Sequence, residues 1–438
     1  MKRGNGKALL PIGVFLILYL GLGIVFEYVL KLEMGFYKIP IVVVFLIALL
    51  VACLQNRKVP FEQKIEIMSR GVGDKNIVTM ILIFLVAGMF VGVVGRSSAE
   101  SVAYFVLSFI PAQFSGLVLF VVSAFVSLAM GTSVGTITLI APIALAVAEG
   151  SGFAVPVCLG AVVGGAMFGD NLSFISDTTI AACNGQGCEM KDKFRENFKI
   201  ALPAALVTIL ILALTTVRAD VTGTVLKEYR LIQIVPYLLV LTGGILGMNV
   251  FLVLMIGIVS GSVIMVGGGY LPVADLLSSM GSGAAGMFET AMVAILVSAI
   301  CALITEFGGF EALLYAIRKV FRGRKGGAFG MGLLVGVMDI ATANNTVAIV
   351  MANPIAKEMS QEYGITPKRA ASILDTFSCV FQGIIPYGAQ MLVAISVAAG
   401  MGIRVSAFEI IPYLIYPFVL GIGSIVFIML DTRNENKN

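Results

Sequence analysis

Histidine is absent from this 438-residue chain. That removes the commonest general base and metal ligand at once, and with them any Ser/His/Asp triad. Charge is scarce as well: Asp, Glu, Lys and Arg make up 12% of the residues, where soluble domains run near ~25%. No polar stretch approaches the ~50 residues a soluble domain needs. No phosphate-binding glycine loop is present, so no nucleotide site drives this chain. Gly131-Thr132-Ser133-Val134-Gly135 matches the G-x-S-x-G pattern. Neither a histidine nor a lysine within the apolar runs is there to take the hydroxyl proton, so the match is accidental. The chain reads as a protein that is not an enzyme.

Apolar residues dominate instead, at 59%, with a mean hydropathy of +1.02. Runs of roughly 20 apolar residues recur along the whole length, each enough to cross a bilayer as a helix. Only helices and closed barrels satisfy their backbone in lipid, and a barrel would show short alternating segments. The expectation is an all-α polytopic membrane protein. Lys2, Arg3 and Lys7 precede an apolar run from Ala8 to Leu30, read as a retained first helix with a cytoplasmic N-terminus. The net charge of +4 is positive-inside bias and no nucleic-acid signal. Of the six cysteines, Cys53, Cys158, Cys301 and Cys379 lie in apolar runs, and Cys183 and Cys188 read as reduced thiols.

An internal repeat organises the chain. Pro142 and Pro354 lie 212 positions apart (354 − 142), and the same offset pairs Gly152 with Gly364, Thr132-Ser133 with Asn344-Asn345, and Asp170 with Gln382. Lys and Arg concentrate in cytoplasmic loops. The loop 108–115 has no basic residue, while its counterpart carries Arg318, Lys319, Arg322, Arg324 and Lys325. Farther on the bias reverses, with Lys191, Lys193, Arg195 and Lys199 facing only Arg404. Opposite bias at matched positions means an inverted repeat, the plan of many secondary transporters. The division expected is N-terminal scaffold helices over 1–60, a first repeat over 61–217 and a second over 218–438. Each repeat holds a helical, re-entrant hairpin (116–149 and 327–362) and a discontinuous helix (155–182 and 367–400). The first helix is expected to break at Gly169-Asp170-Asn171, the second at Gln382-Gly383 and Pro386-Tyr387-Gly388.

Ionisable groups at bilayer depth are costly and by default mark function. Gly169-Asp170-Asn171-Leu172-Ser173-Phe174-Ile175-Ser176-Asp177-Thr178-Thr179 sets two carboxylates among an amide and hydroxyls, directly after an apolar run. That describes a site for small cations. The structural alternative has Asp177 capping a helix and Asp170 pairing with a hairpin donor. The hairpin tips supply Thr132 and Ser133 in one copy and Asn344, Asn345 and Thr346 in the other. Asp339, Asp375 and Gln382 complete the second-repeat candidates, with Lys368 or Arg369 as a partner for one of the aspartates.

Gly131-Thr132-Ser133-x-Gly135-Thr136 and the motif from Gly169 to Thr179 together resemble the NhaC-type sodium/proton antiporter family, within the wider ion-transporter superfamily. Where that family's motif reads Ser-Pro, this chain has Ser173-Phe174, with both carboxylates intact. Asn344-Asn345-Thr346 is similar to the Ser-Asn-Thr tips of sodium-coupled carboxylate transporters. The resemblance implies scaffold and transport regions, with Na⁺ sites at the hairpin tips. The leading expectation is Na⁺/H⁺ antiport across the cytoplasmic membrane by alternating access. Asp170 and Asp177 would take Na⁺ and protons in turn, with neutral oxygens from Thr132, Ser133, Asn171, Ser173 and Thr178. The alternative is Na⁺-coupled symport or exchange of a small organic solute, an amino acid or carboxylate. No cofactor is expected beyond the ions, Na⁺ and H⁺. Partners are the lipid bilayer and these ions, with the organic solute and a homodimer left open.

Overall fold

The computed structural model describes residues 4–32, 38–109, 111–174, 176–217, 228–246 and 248–430. Ile175 of the central motif and the start of the expected second repeat (218–227) lie outside the described residues. Those described form helices and turns, in keeping with backbone groups that must be satisfied locally in lipid. Eight of the described helices are long and apolar enough to cross a membrane, nine if a bent pair at the C-terminal end is one span. The chain is a multi-pass membrane protein.

Helix α1 (Gly6–Ile24) and α2 (Ile41–Leu54) open the chain. The amphipathic α3 (Phe61–Val72) leads into the long α4 (Lys75–Phe109), kinked at Gly95. The first hairpin follows as α5 (Ser115–Met130) and α6 (Ser133–Ser151), then the broken pair α7 (Val155–Leu172) and α8 (Asp177–Gln186). Helix α9 (Met190–Val217) closes this half. Connecting helices α10 (Leu231–Ile245), α11 (Val250–Gly267), α12 (Leu276–Ala285), α13 (Phe288–Glu306) and α14 (Gly309–Val320) come next. The second hairpin is α15 (Gly323–Thr342) and α16 (Asn345–Glu362), the second broken pair α17 (Pro367–Ile384) and α18 (Ala389–Gly400), and α19 (Ile415–Met429) ends the chain.

Element boundaries repeat at the 212-residue offset. The first arms end at Met130 and Thr342, the second arms begin at Ser133 and Asn345, and the breaks close at Asp177 and Ala389. Caps repeat too: the Thr132 side chain accepts from Gly135 N–H, and Asn344 accepts from Val347 N–H. Both tips turn through the left-handed region, Gly131 at φ 68° and Ala343 at φ 49°. Each hairpin therefore needs an oxygen-bearing cap directly after its turn, which is why polar side chains sit at the tips.

The arms pack closely because glycines let backbones touch. A Cβ on Gly165 would come within 2.2 Å of the Phe120 carbonyl, and one on Gly169 within 2.3 Å of that of Ala124. Gly169 is thus a packing residue inside α7, which stays helical through Leu172. The expected break at Gly169-Asp170-Asn171 is displaced to 173–176. The second break falls at 385–388. Large apolar side chains such as Ile17, Leu210 and Val263 point outward from the surrounding helices, as a lipid-facing surface requires.

Candidate ion-binding site

Both hairpin tips, the first break and the first turn of α18 after the second break meet at one cavity of about 340 Å³. Four helices begin there: α6 after Thr132, α8 after Ser176, α16 after Asn344 and α18 after Gly388. Their free N–H groups and dipoles make the centre locally positive, which stabilises a carboxylate or a bound anion.

Asp170 is the buried carboxylate of this centre. One oxygen accepts from the Ser133 hydroxyl at 2.7 Å, the other from Ser176 at 2.5 Å. The Ser176 hydroxyl also lies 2.8 Å from that of Thr178. Gln390 Nε2 donates to Ser133 at 3.0 Å, and Gln382 Nε2 donates to Gln390 Oε1 at 2.9 Å and to the Ala343 carbonyl at 2.8 Å. One hydrogen-bonded chain therefore joins the first tip, the first break, the second break and the second tip. Gln382 and Gln390 stand at the 212-residue counterparts of Asp170 and Thr178, so the charged half of the centre lies in the first repeat and an amide half in the second.

The candidate residues divide into two groups. Thr132, Ser133, Asp170, Asp177, Thr178, Asn344, Asn345 and Thr346 all line the cavity. Asp177 is exposed to it at the first turn of α8, with Ser176 rather than Asp177 as the cap and the Lys75 ammonium acting on it. Asn171, Ser173, Asp339, Asp375 and Gln382 lie behind the wall. Ser173 donates to the Leu128 carbonyl at 2.8 Å and is a brace between α7 and α5. Asp339, fully buried, accepts from Ser378 at 3.1 Å, and its second oxygen has no partner. No cluster of three or more Asp, Glu or Cys side chains able to hold a metal forms among the described residues. A cation at the cavity would be held by one or two carboxylates and neutral oxygens.

Three residues of this region were not among the candidate ligands drawn from the sequence. Ser176 and Gln390 bond within the site, and the repeat offset from Thr178 would have marked Gln390. The third is Lys193, expected among cytoplasmic loop charges. Its side chain is buried and ion-paired to the fully buried Asp375. It also donates to the Asn171 carbonyl at 2.7 Å and the Thr179 hydroxyl at 2.8 Å. The expected partner for an aspartate, Lys368 or Arg369, is thereby corrected. Arg369 instead reaches the Phe427 carbonyl at 3.1 Å and covers that ring.

The profile of the Na⁺/H⁺ antiporter family matches residues 6–217 and 222–430. The chain belongs to the Na⁺/H⁺ antiporter family. Among relatives, the Na(+)/H(+) antiporter NhaC of Bacillus subtilis is 23% identical over 83% of this chain and 86% of its own length. A malate-2H(+)/Na(+)-lactate antiporter of the same organism is 26% identical over 47% of this chain. The match spans 42% of that protein, so the chain covers under half of its length. A solved structure, the YdaH transporter of Alcanivorax borkumensis, covers 97% of this chain and 98% of its own at 13% identity and a TM-score of 0.43. Family membership and the apolar spans together make the chain a membrane protein of that family.

Proposed function

We propose that the protein exchanges Na⁺ for H⁺ by alternating access, with Asp170 as the carboxylate that takes the two cations in turn. The observation that carries this reading is a single buried carboxylate facing a cavity lined by polar side chains, held by two hydroxyl groups that both can also serve a cation. Asp177, across the same cavity, supplies the second negative charge on the entry path. Thr132 and Thr178 add neutral oxygens of the kind hard alkali cations prefer.

One-sided access supports alternation. Along α4, Lys75, Thr79 and Ile83 line the site cavity, whereas Gly88, Gly92 and Arg96 line a second hollow of about 310 Å³. Along α18 the same succession runs from Gln390 to Ser396 and Gly400. Buried Phe84, with Met80 and Leu392, fills the space between the two. The site thus opens beside the basic α3–α4 corner, which positive-inside bias assigns to the cytoplasm. Two hollows separated by a thin apolar plug suit a centre that is released to one side at a time.

A second reading, exchange or symport of a small organic carboxylate, draws on cavity size. About 340 Å³ far exceeds one ion and reaches the range of small-molecule sites, ~300–1,000 Å³. Asn344, Asn345 and four helix N-termini would then hold the carboxylate. The relative named for malate and lactate gives this reading its support.

Proteoliposomes decide. A Na⁺ pulse should move lumenal pH with no solute present, and Asp170→Asn should abolish that response while leaving the protein folded. Na⁺-dependent uptake of a labelled carboxylate without proton movement would replace the antiport reading with the second one.

A further inference from the structure

Lys193 does not line the exchange-site cavity, yet its surroundings are those of a bound ion. The ammonium is paired with Asp375, and its remaining two donors go to the Asn171 carbonyl and the Thr179 hydroxyl. A carboxylate, a backbone carbonyl and a hydroxyl converging on one positive charge form the kind of oxygen shell that holds a dehydrated alkali cation at a helix break. An ammonium has only three protons to give. Two further buried oxygens in the cluster, Asp375 Oδ1 and Asn197 Oδ1, are left without partners. Asn197 is fixed there by its own amide, which donates to Asn171 Oδ1 at 2.7 Å and to Asp375 Oδ2 at 3.3 Å. The shell thus offers more oxygens than its occupant uses. It also abuts the exchange site, since Asn171 follows Asp170 in the last turn of α7.

We propose that Lys193 is a tethered cation: its ammonium fills a second alkali-cation position built from Asp375, Asn171 and Thr179, and thereby sets the number of Na⁺ ions bound per chain at one. The inference rests on Asp170 as the exchange site. A covalently attached charge occupies the shell without losing the translational freedom that a free ion gives up on binding. It leaves Asp375 neutralised in every state of the cycle. A free Na⁺ arriving at Asp170 meets a neighbouring position already filled.

The test measures equilibrium binding of ²²Na⁺ and thermal melting of the purified full chain, in Na⁺ or choline, with Asp170→Asn as the background. Asp170→Asn alone should lose saturable Na⁺ binding. Adding Lys193→Ala should restore it at one ion per chain, with a melting midpoint that rises in Na⁺ and not in choline. Adding Asp375→Asn as a third change should remove both effects. If Asp170→Asn/Lys193→Ala binds no Na⁺ and melts alike in both salts, Lys193 is a structural ion-pair partner and the proposal is overturned. Should the double variant not fold in choline, recovery of monodisperse protein in Na⁺ supports the proposal and failure in both salts counts against it. Saturable binding retained by Asp170→Asn alone shows that the exchange-site reading itself has failed, and the tethered-cation inference falls with it.

Discussion

Gln390 donates to the Ser133 hydroxyl at 3.0 Å, and Ser133 donates in turn to Asp170 at 2.7 Å. An amide of the second repeat thus dictates where the hydroxyl proton of the first repeat points. The Ser133 oxygen has an acceptor role toward Gln390 and a donor role toward the carboxylate. Any rearrangement that separates α18 from α6 frees that hydroxyl and changes how Asp170 is held. At the Asp170 carboxylate, the two halves are thus coupled through the shared Ser133 hydroxyl.

Ser133→Ala should weaken Na⁺ binding with little loss of maximal rate. It removes one donor to a charged group, a contact worth about 1.5–3 kcal/mol. At 1.4 kcal/mol per tenfold, that is roughly a 10- to 100-fold rise in KM for Na⁺. Gln390→Leu leaves Ser133 in place and should raise KM by less. Initial rates of ²²Na⁺ counterflow across a Na⁺ series check both. Unchanged KM in Ser133→Ala would remove Ser133 from the site.

Access can be read by labelling. In a background of Cys53→Ser and Cys188→Ser, which removes the two partly exposed thiols, Thr79→Cys should react with an impermeant maleimide from the face bearing Lys75. Ser279→Cys should react from the opposite face. Added Na⁺ should protect Thr79→Cys, since that residue lines the site cavity. Labelling of both from the same face would show that the two hollows do not open to opposite sides.

Much of this centre was legible in the chain because repeats act at positions with strong local rules. Pro142 and Pro354, Gly152 and Gly364, and the caps Thr132 and Asn344 are all constrained by backbone geometry, so their common offset survives low identity. The break was misplaced because Gly169 reads locally as a helix breaker, whereas its lack of a side chain serves contact with α5. Lys193 was missed for a different reason. It sits in a run with Lys191, Arg195 and Lys199, all charged, and only its phase distinguishes it. Lys193, Asn197, Ile200, Ala201 and Ala204 follow the i, i+4, i+7, i+8 spacing of one buried helical face. A charged residue in phase with a buried stripe is the signal that composition alone obscures.

Packing gives a matched pair of glycine substitutions. Gly165→Ala places a methyl within 2.2 Å of the Phe120 carbonyl, a backbone clash that should cost ~1–3 kcal/mol. Gly281, inside α12, has open space around it. Gly281→Ala should be neutral or stabilise by up to about 1 kcal/mol, as expected for removing glycine from a helix interior. Melting curves in detergent compare the two, and equal midpoints would contradict the close α5–α7 approach.

Two buried aspartates one helix apart should respond oppositely to the same change. Asp375→Asn leaves the Lys193 ammonium without its counter-charge, and breaking one half of a buried pair costs about 3–5 kcal/mol. Among the described residues, Asp339 pairs with no cation. From α17 it meets Asp375 and Ser378, and from the second break Tyr387. Lys357, Glu358, Glu362 and Arg318 lie toward the far ends of α16 and α14, away from the tip. Its Oδ1 accepts from Ser378 and its Oδ2 is unpartnered, so an amide reproduces the contact and removes a carboxyl that nothing neutralises. Asp339→Asn should therefore melt no lower than the parent and keep ²²Na⁺ counterflow, while Asp375→Asn melts markedly lower. Loss of counterflow in a well-folded Asp339→Asn would place that carboxyl in the ion path, and the two aspartates would then have to be treated as one site.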